Sequence, residues 1–174
     1  MFDLLRISLL VTDNVSNGDI YNVLIRDHDE GGLDGLALSP LPNLLIEDVF
    51  CNQSGGKSMG SFKEGTAVEN VHMRNIYSHF SAQFLMIKTH PNGNGFVRNC
   101  RFENFKDTTT AYGLQLSQYW PSSAAGPCSD TSGVQLSHLT FTNWVGLSND
   151  ASQRAPVFLN CSLPNPSNGL NSVG

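Results

Sequence analysis

Five segments of this chain share one seven-residue pattern, and no other feature constrains its fold as strongly. They are Asn22-Val-Leu-Ile-Arg-Asp-His28, Asn43-Leu-Leu-Ile-Glu-Asp-Val49, Asn70-Val-His-Met-Arg-Asn-Ile76, Asn99-Cys-Arg-Phe-Glu-Asn-Phe105 and His138-Leu-Thr-Phe-Thr-Asn-Trp144. Four begin with Asn, and all five carry Asn or Asp at the sixth place. The second and fourth places are apolar throughout, which is the two-residue period of a strand with one buried face. Internal repetition of this kind decides architecture before any local propensity does.

A second, shorter apolar stretch follows each segment. Counted from the fourth template place, Ile25 leads to Leu36, Ile46 to Ser58, Met73 to Leu85 and Phe102 to Leu114, in steps of 11, 12, 12 and 12 residues. The last unit runs further, from Phe141 to Val157-Phe-Leu159. No stretch of helical period and length lies between. Repeats of short strands and turns describe a solenoid, in which equivalent strands stack in parallel about 4.8 Å apart. The chain therefore reads as all-β, a right-handed parallel β-helix forming a single domain over 1–174, with 1–16 and 163–174 as less ordered ends. The recurring Asn is expected at the bends, with its amide bonded to the backbone of the next coil. A β-sandwich of hairpins is the competing fold. Of the three Asn-Gly pairs, at 17–18, 94–95 and 168–169, only that at 94–95 lies between two strands of this reading.

Charged residues make up 14% of the chain, so Asn, Ser, Thr and Gly must cover its surface, and these favour strands and turns. The net charge of −5 argues against a nucleic-acid partner. No apolar run approaches the length of a membrane span. The N-terminus makes a poor signal peptide, since the apolar run Ile7–Val11 is short and Asp3 stands where positive charge is expected. Sequons begin at Asn14, Asn52 and Asn160 and weigh weakly toward secretion. Cys51, Cys100, Cys128 and Cys161 show no C-x-x-C spacing, and the five histidines no metal spacing, so neither metal nor cofactor is expected.

Four motifs then occur in order: Gly31-Gly-Leu-Asp-Gly35, Cys51-Asn-Gln-Ser-Gly-Gly-Lys-Ser-Met-Gly-Ser61, Met86-Ile-Lys88 and Tyr112-Gly-Leu-Gln-Leu-Ser-Gln-Tyr-Trp120. Together they resemble glycoside hydrolase family 28, the polygalacturonases, and in particular its rhamnogalacturonase branch. The resemblance implies a pectin-lyase-like β-helix, secreted and monomeric, that hydrolyses the acidic backbone of pectin with inversion. Inversion uses one carboxylic acid on the leaving oxygen and one carboxylate on water. By the same resemblance Asp34 matches a catalytic carboxylate, Lys88 the lysine that holds a uronate carboxylate, and Tyr119 an aromatic that contacts sugar. Gly55 stands where polygalacturonases carry His and the rhamnogalacturonase branch carries Gly. Lys57 departs from the branch, which has Cys there.

The family also carries an acidic pair followed by Cys on the coil after its first carboxylate. No such motif lies between Asp34 and Cys51, and Ile25 to Ile46 is 21 residues against 27 and 29 for the next two steps. The expectation is a solenoid shortened by one coil, its hydrolytic activity weak or absent, and Cys51 without its disulfide partner. A silent pectin-binding relative and a polysaccharide lyase are the alternatives. Asp27, Asp29 and Glu30 read as a solvated turn, with replacement of the missing pair or calcium binding as other readings of the cluster.

Overall fold

The computed structural model describes residues 5–7, 10–12, 16–26, 36–38, 42–120, 133–147 and 155–173. Thirteen strands follow in chain order: β1 (Leu5–Ile7), β2 (Leu10–Thr12), β3 (Gly18–Arg26), β4 (Leu36–Leu38), β5 (Pro42–Asn52), β6 (Gly56–Phe62), β7 (Thr66–His79), β8 (Gln83–Thr89), β9 (Gly95–Thr108), β10 (Tyr112–Ser117), β11 (Gln135–Val145), β12 (Val157–Asn160) and β13 (Asn168–Val173). The odd-numbered strands form one sheet in the order β1-β3-β5-β7-β9-β11-β13, and the even-numbered strands a second in the order β12-β10-β8-β6-β4-β2. Pairing is parallel throughout. The chain alternates between the sheets, so each odd–even pair is one coil of a parallel β-solenoid. The sandwich is ruled out because no described neighbours are antiparallel.

The repeated Asn shapes the coil. Asn43, Asn70 and Asn99 have φ between +55° and +57°, and His138 has +53°. The sixth template place behaves alike, with Asp48, Asn75, Asn104 and Asn143 between +53° and +56°. Asn and Asp tolerate this left-handed region because their short polar side chains bond locally. Each such residue inserts one step into the in–out alternation: in β7 the buried positions run Val68, Val71, Met73, Ile76, with a three-residue gap across Asn70 and another across Asn75. The long strand is thereby bent into three facets, each with its apolar side inward.

The Asn amides bond differently from the sequence expectation. They reach the equivalent side chain on the neighbouring coil rather than backbone. One ladder runs Asn70 Nδ2 to Asn43 Oδ1 and Asn43 Nδ2 to Asn17 Oδ1, both 2.8 Å. The other runs Asn143 to Asn104 (2.8 Å), Asn104 to Asn75 (3.0 Å) and Asn75 to Asp48 (3.0 Å). A side-chain amide is donor and acceptor at once, so one residue type can continue such a ladder coil after coil.

The register also corrects the repeat alignment. Ile20, not Ile25, pairs with Ile46, and Ile25 pairs with Cys51. Asn22 therefore belongs to the second ladder column, and the first copy of the template begins at Asn17. The slip arises because the template carries Asn or Asp at two places five residues apart, so either fits. With Ile20 as reference, the steps to Ile46, Met73 and Phe102 are 26, 27 and 29 residues. The apparent short coil disappears.

Inside, register-matched residues stack. Val23, Val49, Ile76, Phe105 and Trp144 form one column, and Ile46, Met73, Phe102 and Phe141 another. Phe105 and Trp144 stack with centroids 4.4 Å apart, and Phe102 and Phe141 at 5.1 Å. The Trp144 indole donates to the Phe102 carbonyl at 2.9 Å, so its polar end is satisfied at the core margin. Each fully buried side chain of this size contributes about 1.5–3 kcal/mol.

Candidate functional site

The second sheet and the corner leading into it carry the motifs. After β5, β7 and β9 the chain turns at Gln53, Phe80 and Thr109, all with positive φ (+50°, +48° and +71°). For a bulky aromatic and a β-branched residue this is strained backbone. A ladder of main-chain bonds holds it: Gln53 N to His79 O at 2.9 Å, Phe80 N to Thr108 O at 3.2 Å and Thr109 N to Leu147 O at 3.0 Å. Phe80 nevertheless stays 55% exposed, its ring edge-on to His79 at 4.3 Å.

Gly55 lies buried in this turn, just before β6. Its neighbour explains the double glycine of the motif. Gly56 has φ +94°, and a Cβ there would stand 1.9 Å from the Gln83 carbonyl oxygen of the adjacent coil. Gly60 has φ +109°, and its Cβ would meet the Lys88 carbonyl oxygen at 2.1 Å. The motif thus lets β6 approach β8 where β8 ends in Lys88.

Lys88 is itself nearly buried, with Nζ 5.1 Å from the centre of the Trp120 ring. Desolvated contacts of this geometry are worth up to about 2 kcal/mol. Trp120 is held by its own N–H on the Thr89 carbonyl at 2.9 Å. Tyr119, next to it, is 6% exposed. In register, Ser117 of β10 pairs with Lys88, and Met59 of β6 with Ile87. The structure thus brings Gly55, Lys88 and Tyr119 onto three consecutive coils of one facet and its margins. Asp34 and the cluster Asp27, Asp29 and Glu30 lie outside the described residues, as does Cys128. Sequence reasoning missed Phe80, and it missed that Trp120 rather than Tyr119 covers the lysine. The aromatic character of both was visible, but not the direction of either ring.

Behind this facet lies a buried polar cluster. Cys51, Ser78 and Asp107 are register partners on three coils, all inward-facing. Lys57, fully buried on β6, crosses the interior and donates to Ser78 Oγ. Its ammonium also lies 5.3 Å from the Phe84 ring. Burial lowers the Lys57 pKa, partly offset by Cys51 and Asp107. Burial raises that of Asp107, offset by Thr110, which donates to Oδ2 from both its N–H and its hydroxyl, and by Lys57. Asp107 Oδ1 has no hydrogen-bond partner among the described residues. The Cys51 thiol is likewise pushed up by burial, and that of Cys100 to about 11. Cys51, Cys100 and Cys161 carry free thiols. A separate apolar hollow of about 440 Å³ lies between β9–β13, lined by Phe84, Phe141, Trp144 and Leu159 with Asp107 at its polar end.

Stacked parallel coils with this corner and facet define a pectin-lyase-like β-solenoid. Residues 10–173 match the family described as Glycosyl hydrolases family 28, and the chain belongs to it, in its rhamnogalacturonase-like branch. It is 36% identical to rhamnogalacturonase A of Aspergillus niger over 87% of this chain and 38% of that protein. It is 38% identical to rhamnogalacturonase B of the same organism over 86% of this chain and 30% of that one. The chain thus spans about a third of the length of these curated relatives. Among solved structures it is similar to endopolygalacturonase I from Stereum purpureum complexed with two galacturonate, with a TM-score of 0.55 and 18% identity, covering 92% of this chain and 52% of that one. At that identity the likeness shows the fold.

Proposed function

We propose that this chain carries an inverting glycosidase site for the acidic backbone of pectin, with rhamnogalacturonan as the substrate, acting outside the cell. The observation that carries this reading is the register of β3 on β5. With the coil spacing regular, no lost coil is needed to explain the chain. The acidic pair Asp29–Glu30 follows Arg26, the last residue of β3, much as Gln53–Gly55 follows Asn52, the last of β5. The pair then has a counterpart in the chain, and Asp34 belongs to the same connection. Four residues separate Glu30 from Asp34. Extended backbone spans about 3.3 Å per residue, which leaves room for the ~6.5–9.5 Å that an inverting pair requires. One carboxyl group protonates the leaving oxygen, and another withdraws the proton of the attacking water. Lys88 neutralises a uronate carboxylate beside them, and Tyr119 and Trp120 wall the sugar. Gly55 leaves open the space a larger side chain would take.

A silent, pectin-binding role is the second reading, and one observation favours it. Gly31 follows the acidic pair where the family has Cys, and Cys51 keeps a free thiol. The turn bearing the pair therefore lacks the cross-link that would fix it. Reducing-end release from rhamnogalacturonan decides between the two. Hydrolysis by the chain, abolished in Asp29→Asn and Glu30→Gln, supports the enzyme. No release above the double variant Asp29→Asn/Glu30→Gln would leave the binding role.

A further inference from the structure

Residues on the third facet of the odd-numbered sheet, one corner away from the motifs, face outward in an unusual combination. In register across β3, β5, β7 and β9 the outward positions are Leu24, Phe50, Tyr77 and Lys106, with Arg26, Asn52, His79 and Thr108 in the next column. Phe50 is 38% exposed, Tyr77 39% and, just past this column, Phe80 55%. Lys106 and Arg26 are exposed as well. None of these outward positions is a carboxylate, in a chain whose net charge is −5. The acids on the other facets of this sheet are engaged: Glu47 with Arg74 at 2.5 Å, Glu69 with Arg98 at 2.8 Å and Glu103 with His72 at 2.6 Å. Asp48, at the corner beside the strip, accepts from Asn75 at 3.0 Å.

We infer that this strip is a second binding site for an acidic glycan chain, lying outside the motif-bearing facet. The identity of the glycan rests on the pectic substrate proposed above. Aromatic rings present flat apolar faces to the C–H faces of sugars. Phe50 and Tyr77 sit on adjacent coils, so their rings repeat at the strand spacing of about 4.8 Å, roughly the length of one sugar ring. Lys106 continues the same column with a cation at the position where a uronate carboxylate would follow. His79 is fixed by its Nδ1 contact with Thr108 Oγ1 at 2.5 Å and by the Phe80 ring, which leaves the aromatic end of the strip ordered. The strip ends at the corner that leads into β6 and β8, so a chain lying along it is delivered to the facet of Lys88.

Affinity electrophoresis of the chain through gels containing rhamnogalacturonan, polygalacturonate or a neutral galactan tests this. The two acidic polymers are expected to retard the protein and the neutral one not to. Phe50→Ala/Tyr77→Ala is expected to weaken the apparent Kd about tenfold, or 1.4 kcal/mol, and Lys106→Gln to remove its dependence on salt. Phe50→Trp/Tyr77→Trp, which keeps the rings, is expected to bind like the parent and controls for folding. Equal retardation of parent and Phe50→Ala/Tyr77→Ala overturns the site, as does equal retardation by the neutral polymer. Hydrolysis is read separately with a short oligosaccharide. Asp29→Asn/Glu30→Gln, inactive under the enzyme reading, is expected to remain retarded. Strip-dependent retardation without any hydrolysis by the parent therefore defeats the enzyme reading alone.

Discussion

The ammonium group of Lys57, on one wall of the solenoid, donates a hydrogen bond to the hydroxyl of Ser78 on another, with both residues buried. Burial depresses the lysine's pKa, so the folded state disfavours its charged form. Between the folded pKa and the ordinary value near 10.5, the unfolded chain holds a proton that the folded chain has released. Stability therefore rises with pH across that window. Lys57→Met removes this rise. Urea unfolding at a series of alkaline pH values is expected to show the parent gaining on the variant as pH climbs toward 10.5. Parallel curves would show that the lysine keeps its proton in the folded chain.

Asp107 gives the opposite sign. Its carboxyl is raised by burial and its Oδ1 is unpartnered. Below the folded pKa and above the ordinary value near 3.8, the folded chain holds the extra proton, so this group alone makes stability fall as pH rises through that window. Asp107→Asn is expected to flatten that segment of the stability curve while keeping the bonds from Thr110 to the retained oxygen. A variant whose acid limb matches the parent's would contradict this.

How far the sequence carried the fold follows from these particulars. The in–out period of Leu44, Ile46 and Val49, and its repetition in Val71, Met73 and Ile76, is a one-dimensional signal, and it was enough for parallel coils. The phase of the first copy was not, because Asn17 and Asn22 both satisfy a template whose bends fall at two places. Only the pairing of Ile20 with Ile46 separates them. In the site, Lys88 and Gly55 were legible from motif spacing. Lys57 looked like a surface substitution, since nothing local to Gly56-Lys57-Ser58 announces that its side chain crosses the interior to Ser78. The same holds for Phe80, whose exposure depends on a left-handed backbone that propensity does not foresee.

The Asn ladder is the cheapest part of the architecture to test. Asn75 has φ +56°, accepts from Asn104 and donates to Asp48, both at 3.0 Å. Asn75→Val loses both bonds and places a branched side chain in the left-handed region, at a cost of about 3 kcal/mol. Asn75→Gly loses the same bonds but keeps the backbone, and is expected to cost about half as much. Urea midpoints in the order parent, Gly, Val are the expected result. A Val variant as stable as the Gly variant would mean that the corner geometry is not under the strain its φ implies.

Gly60 joins stability to the site. A methyl group there would lie 2.1 Å from the Lys88 carbonyl oxygen, and φ is already +109°. Neither the β8 backbone nor the strand containing Gly60 can yield without breaking ladder bonds, so Gly60→Ala is expected to cost about 2–4 kcal/mol. Gly65→Ala is the control, since φ there is +74° but a Cβ would meet nothing within 4 Å. That change is expected to cost only about 1–2 kcal/mol. Equal losses at the two positions would remove the steric explanation of the Met-Gly-Ser motif.

Lys88 is where the proposed chemistry meets the geometry. Its stem is nearly buried and its ammonium lies 5.1 Å from the Trp120 ring centre. A cation so placed is already partly desolvated, and a uronate carboxylate that reaches it forms a charge-assisted bond of about 1.5–3 kcal/mol. Lys88→Met keeps the apolar stem and removes the charge, so the fold is expected to survive. On an acidic oligosaccharide kcat/KM is expected to fall about 10- to 150-fold, the loss that this energy implies. On the same oligosaccharide with its carboxyl groups reduced to alcohols, parent and variant are expected to be alike. Trp120→Leu, which withdraws the ring but leaves the charge, is expected to lower kcat/KM on the acidic substrate by a smaller factor. If Lys88→Met lost as much on the reduced substrate as on the acidic one, the lysine would be holding the fold of the facet rather than a carboxylate.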